Sequence, residues 1–126
     1  MELESYPDIN RAALVVKFKK PFIDWLIYTS KEHDGDDQMR PEEIETDGFD
    51  SKRVYLIPAF EENKKYDRYL RKHAKEIFED ELMGWYTEPA WWPHDRSFKV
   101  FKEWFDYEIH TMVLDTVLDE PLEIEE

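Results

Sequence analysis

The stretch AALVVKFKKPFIDWLIYTS, residues 12–30, changes its period halfway along, and that change decides the fold class. From Ala12 to Lys19 it is β-branched and apolar, with Leu14, Val16 and Phe18 on one side and Val15 and Lys17 on the other. Strict alternation is the pattern of a strand. Pro21 then stands where a first helical residue belongs, and Phe22, Trp25, Leu26 and Thr29 recur at helical spacing. A proline-opened run of that kind reads as an amphipathic helix. A strand feeding straight into a helix predicts a fold in which both share one core.

Before this stretch, MELESYPDIN is acidic and polar and lacks the charged and apolar regions of a signal peptide. After it, residues 31–53 form a long acidic loop broken by Gly35, Pro41 and Gly48, with room for one helical turn at Pro41–Glu45. VYLIPAF (54–60) reads as a second strand, shortened by Pro58, which has no N–H for a ladder. The longest helix is predicted from Glu62 to Met83, where Tyr66, Tyr69, Leu70, His73, Ala74, Ile77, Phe78 and Leu82 make a broad apolar stripe. GWYTEPAWWPHDRS (84–97) is a corner: Gly84 as a left-handed helix terminus, Pro89 and Pro93 as stiffeners, Asp95 as the next N-cap.

SFKVFKEWFDY (97–107) predicts a third helix with Phe98, Phe101, Trp104 and Phe105 on one side. EIHTMVLDTV (108–117) predicts a third strand with His110, Met112 and Leu114 toward the core. Three strands cannot bury two faces, so the expected fold is α+β: a two-layer sandwich with a small mixed three-stranded sheet and three helices on one face. Its first crossover is expected to be parallel and right-handed. Residues 1–117 make one domain, and 118–126 make an acidic, flexible tail.

A chain of 126 residues fits one domain, and 41 % hydrophobic with 16 % aromatic content supplies a core despite 38 % charged residues. There is no cysteine, hence no disulfide, thiolate metal site or cysteine nucleophile. Nothing approaches the roughly 18 apolar residues of a membrane span, so a soluble cytoplasmic protein is expected. The formal charge of −14 is uneven: residues 31–53 are net −5, and residues 108–126 hold seven acids and no base. No segment is net basic, so direct nucleic-acid binding is not expected.

The sheet face away from the helices would carry Val15, Tyr55, Ile57, Ile109 and Val113, an apolar patch that a back-to-back homodimer would cover. The long helix places Lys64, Lys65, Arg68, Arg71, Lys72 and Lys75 first and Glu76, Glu79, Asp80 and Glu81 last, the reverse of what its dipole prefers. Ion pairs with Arg96 and Lys99 are the plain explanation, and a bound cation is the sharper one. His73 and Glu76 share a face as metal ligands would, but no second such pair exists, so no metal is assigned. Asp34, Asp36, Gln38, Glu42 and Glu45 echo a calcium loop, with Met39 where the tight-turn glycine belongs. No serine sits in a glycine-flanked elbow, and carboxylate pairs mean nothing among 31 acids. No catalytic residue and no cofactor are assigned.

The blocks INRAALVVKFKKPFIDWL, VYLIPAFEE and FEDELMGWYTEPAWWPHDRSFKVFKEWFDYEIHTMVLD resemble a group of small acidic bacterial proteins to which no activity is attached. The resemblance implies a bacterial cytosolic origin and one shared fold, and no reaction.

Two functions fit these residues. The first is a non-catalytic protein–protein interaction domain that associates with itself or with a protein partner. The alternative is a small-molecule or cation-binding domain, an enzyme included. Its pocket would lie between the end of the long helix and the 84–97 segment, lined by Glu81, Trp85, Tyr86, Trp91, Trp92 and His94. Aromatic walls and a carboxylate suit a cationic or heterocyclic ligand.

Overall fold

In strand β1 (Arg11–Phe18), Ala12, Leu14, Val16 and Phe18 point to one side and are 4 % exposed or less. The computed structural model describes residues 6–40 and 53–125. Helix α1 (Lys20–His33) begins after one residue, carries Pro21 in its first turn and buries Phe22, Trp25, Leu26, Thr29 and Ser30. There follow β2 (Tyr55–Pro58), α2 (Asn63–Met83), α3 (Phe98–Trp104) and β3 (Phe105–His110). The apolar sides of all three helices meet Ala12, Leu14, Val16, Phe18, Ile57 and Phe105 in one core. This is the two-layer α+β arrangement that the periodicities predict. The turn expected at Pro41–Glu45, with Glu42 and Glu45, lies outside the described residues.

The strand order is β2-β1-β3, and β1 runs antiparallel to both neighbours. The sheet is therefore wholly antiparallel rather than mixed, and the expected parallel crossover is absent. The connection from α1 to β2 is long enough to enter that strand from either end, so its length carried no information on direction.

The register settles which side chains share a face. Leu14 lies between Tyr55 and Ile109, Ala12 opposite Ile57, Val16 opposite Tyr107, and Phe18 opposite Phe105. Residues paired across a ladder project to the same side. Tyr55, Ile57 and Ile109 therefore face the helices, which corrects their expected place on the outward face. That face carries Ala13, Val15, Lys17, Leu56, Asp106, Glu108 and His110, and is mixed rather than apolar. For Tyr55 and Ile57 the cause is the pairing of β2 with the inward residues Leu14 and Ala12 of β1; for Ile109 it is a one-residue change of phase in β3. α3 ends at Trp104 and β3 starts at Phe105 with no turn between them, three residues earlier than predicted. A shift of one residue moves every side chain of a strand to the other face.

Beyond β3 the chain continues beside the N-terminal segment. Ile9 N–H donates to the Val113 carbonyl and Asp115 N–H to that of Pro7, both at 2.9 Å, around a bridge between Asp8 and Leu114. Residues 116–125 are exposed and lie in no helix or strand.

The two ends of the 84–97 corner also depart from expectation. Gly84 is right-handed (φ −64°, ψ −17°), so it is not a left-handed terminus. The Arg53 guanidinium, the far end of a flexible side chain, lies against it. The N-cap of α3 is Ser97 rather than Asp95: its hydroxyl accepts from Val100 N–H at 3.4 Å. Asp95, two residues upstream of the cap, accepts from Ser97 N–H at 3.0 Å. Hydrogen bonding from the Ser97 hydroxyl first, and from its N–H second, lowers the Asp95 pKa below the usual carboxylate value.

Candidate functional site

The aromatic corner is built where the last turn of α2 meets the end of α1. Trp92 and Tyr86 are buried; Trp85 and Trp91 remain 40 % and 37 % exposed. A 3-10 turn at Pro89–Trp91, opened by the Glu88 carboxylate accepting from Ala90 N–H, sets Trp91 and Trp92 on opposite courses. Trp92 Nε1–H donates to the Tyr86 carbonyl at 2.8 Å, and Trp25 Nε1–H donates to that of Trp91 at 2.9 Å. The Trp91 ring stacks on His33, with centroids 3.6 Å apart and planes 8° from parallel. Tyr86 Oη–H donates to the Asp34 carboxylate at 2.6 Å. Burial first, and that hydrogen bond second, push the Tyr86 pKa up to about 12. Trp85 meets the Phe18 ring edge-on at 6.3 Å.

Arg96 closes the corner from the other side. Its Nε–H donates to Glu79 at 3.0 Å, its Nη1–H to the Pro93 carbonyl at 2.7 Å, and its guanidinium lies over Trp92 at 5.8 Å. Arg53 pairs with Asp80 at 3.1 Å. These cations answer the acidic end of α2, with Arg53 in the place anticipated for Lys99.

Glu81 is fully buried, and the Tyr55 hydroxyl bonds its carboxylate. The same hydroxyl lies 2.9 Å from Asp80 Oδ2. A phenol carries one proton and serves one acceptor at a time, and Asp80 also receives the Arg53 Nε–H. Burial, followed by the bond to Glu81, raises the Tyr55 pKa far above that of an ordinary tyrosine. Both phenols therefore hold their protons more tightly than an ordinary tyrosine.

Of the six residues proposed for a pocket, Glu81, Tyr86 and Trp92 lie in the interior, while Trp85, Trp91 and His94 are exposed. Of the five proposed for an interface, only Val15 lies on the outward sheet face; Tyr55, Ile57 and Ile109 face the helices, and Val113 stands in the ladder past β3. The structure instead joins Tyr55 to Glu81, a contact that no spacing announced. Asp34, which the sequence offers only as part of a calcium-loop echo, meets Tyr86, and His33 meets Trp91; neither contact is announced by spacing, because the partners are remote in sequence.

His73 Nδ1 and Glu76 Oε2 are 3.1 Å apart and answer each other, with the ring 4.2 Å from that of Tyr69. Among the described residues, no group of three or more potential ligands could hold a metal, and no helix is long and apolar enough to cross a membrane. Comparison with models of known protein families, with characterised proteins and with solved structures finds no match to this chain.

Proposed function

We propose that the protein is a non-catalytic protein–protein interaction domain, self-associating, which meets its partner through Trp85 and Trp91. The observation that carries this reading is Trp91: its ring is stacked on His33 and its backbone tied to Trp25, yet more than a third of it is open to solvent. An aromatic side chain already fixed loses little entropy on binding, and tryptophan is the residue most enriched at energetic centres of interfaces. The resemblance noted in the sequence adds a bacterial cytosolic setting. The alternative, a small-molecule or cation-binding domain, has less support, because three of its six lining residues are core.

Light scattering across a concentration series tests the proposal. The wild type is expected to self-associate, and Trp85→Ala/Trp91→Ala to weaken that association by about tenfold or more. An unchanged association in the double variant, or a wild type that stays monomeric while its tryptophan fluorescence shifts with an aromatic cation, would favour the pocket reading instead.

A further inference from the structure

Helix α2 presents a second surface that the corner does not use. Lys64, Lys65, Arg68, Arg71, Lys72 and Lys75 lie on one face, opposite the buried Leu70, Ala74 and Ile77, and all six are exposed. Among the described residues, Arg71 has a carboxylate within ion-pair distance, Asp67 at 2.9 Å, and the other five have none. Like charges three and four residues apart on a helix repel one another. Such a stripe is costly unless something anionic lies on it.

Round the helix from the stripe, past the Asp67–Arg71 pair, an open groove of about 230 Å³ lies between the first half of α2 and β3. Tyr66, Leu70, Tyr107 and Ile109 wall it, with Asp67 and Thr111 also lining it. The segment LDEPLEIE, residues 118–125, complements both features. Asp119, Glu120, Glu123 and Glu125 supply four acids with no base, while Leu118, Leu122 and Ile124 stand 67–94 % exposed. The acids match the stripe and the apolar side chains match the groove.

The path of the chain decides whose groove is filled. The chain passes the groove at Thr111 and is then held against Pro7–Ile9, which carries it onward in extended form through Asp115. The segment turns at Leu118–Asp119, and none of its residues lines the groove of its own chain, which stays open to the segment of another copy. We propose that residues 118–125 of one copy dock on the basic face of α2 and the adjoining groove of a second copy, reciprocally in a twofold dimer. This rests on the self-association proposed above but uses a different surface.

The test is sedimentation of full-length chains carrying Glu120→Lys/Glu123→Lys or Lys64→Glu/Arg68→Glu, neither of which touches the corner. Each variant alone is expected to associate about tenfold more weakly than the wild type, as is the wild type itself when salt rises from about 0.05 M to about 0.5 M. Mixed together, the two variants present opposite charges at both contacts of a heterodimer, and association returns, which also shows that both are folded. A mixture no stronger than its parts overturns the proposal. So does rescue of both changes within one monomeric chain, or an oligonucleotide that binds the wild type and not Lys64→Glu/Arg68→Glu. If Trp85→Ala/Trp91→Ala abolishes association and the charge pattern is absent, the corner stands and this surface falls. The charge pattern persisting unchanged in that variant gives the reverse.

Discussion

At the scale of the residue, Tyr55 shows what a buried carboxylate requires. Glu81 sits in the core with the Tyr55 hydroxyl against it, so Tyr55→Phe removes a donor from a group that water does not reach. Leaving such a group short of a partner costs about 1–3 kcal/mol, and urea unfolding should show that loss. A smaller effect would mean that other groups hold the carboxylate. Tyr86 gives a prediction in pH. Its folded pKa of about 12 lies above that of the unfolded chain, so the folded state keeps its proton longer. The resulting stability is complete below the ordinary tyrosine value of about 10 and is lost as pH rises past it toward the folded value. Tyr86→Phe removes this contribution, so its melting temperature should fall less steeply than the wild type's across that window. Parallel curves would show that Tyr86 titrates alike in the folded and unfolded chain. Trp91 and Trp92 mark the limit of reading at this scale: adjacent and chemically identical, they part because a 3-10 turn ends between them, and no property of either ring announces which one is buried.

At the scale of the element, legibility followed the purity of the period. α2 begins one residue from its predicted start because its stripe has no competing alternation over twenty-one residues. β1 and α1 were equally plain, since Pro21 divides their two periods. The segment from Phe98 to His110 was not, because two periods share it. Phe101, Trp104 and Phe105 fit a helix, while Phe105, Tyr107 and Ile109 fit a strand, and Phe105 belongs to both. The expected face of Ile109 follows that strand's phase, and so lies on the wrong side of the sheet. Mutation separates the two phases. Ile109→Ala removes a side chain that packs against the core and should cost about 1 kcal/mol or more, whereas His110→Ala on the outward face should stay within about 0.5 kcal/mol. Equal costs would return β3 to the other register.

At the scale of the whole molecule, fold stability and surface charge occupy different parts of the chain. Residues 54–107, which carry β2, α2, α3 and the start of β3, hold eleven acids against nine bases, so the body is close to neutral. The last nine residues alone hold five acids and no base. Net charge far from zero favours solubility, but repulsion that is confined to an exposed segment hardly strains the core. Trimming residues 118–126 should therefore leave the unfolding free energy of the dilute monomer within about 0.5 kcal/mol of the full chain. The same trimming should abolish the salt-sensitive part of self-association at high concentration, because the acids that would lie on Lys64 and Arg68 are gone. Urea unfolding and light scattering on one preparation measure both quantities. If stability fell and association persisted, the segment would be packing on its own body, and the cations of α2 would be answered within the monomer rather than between copies.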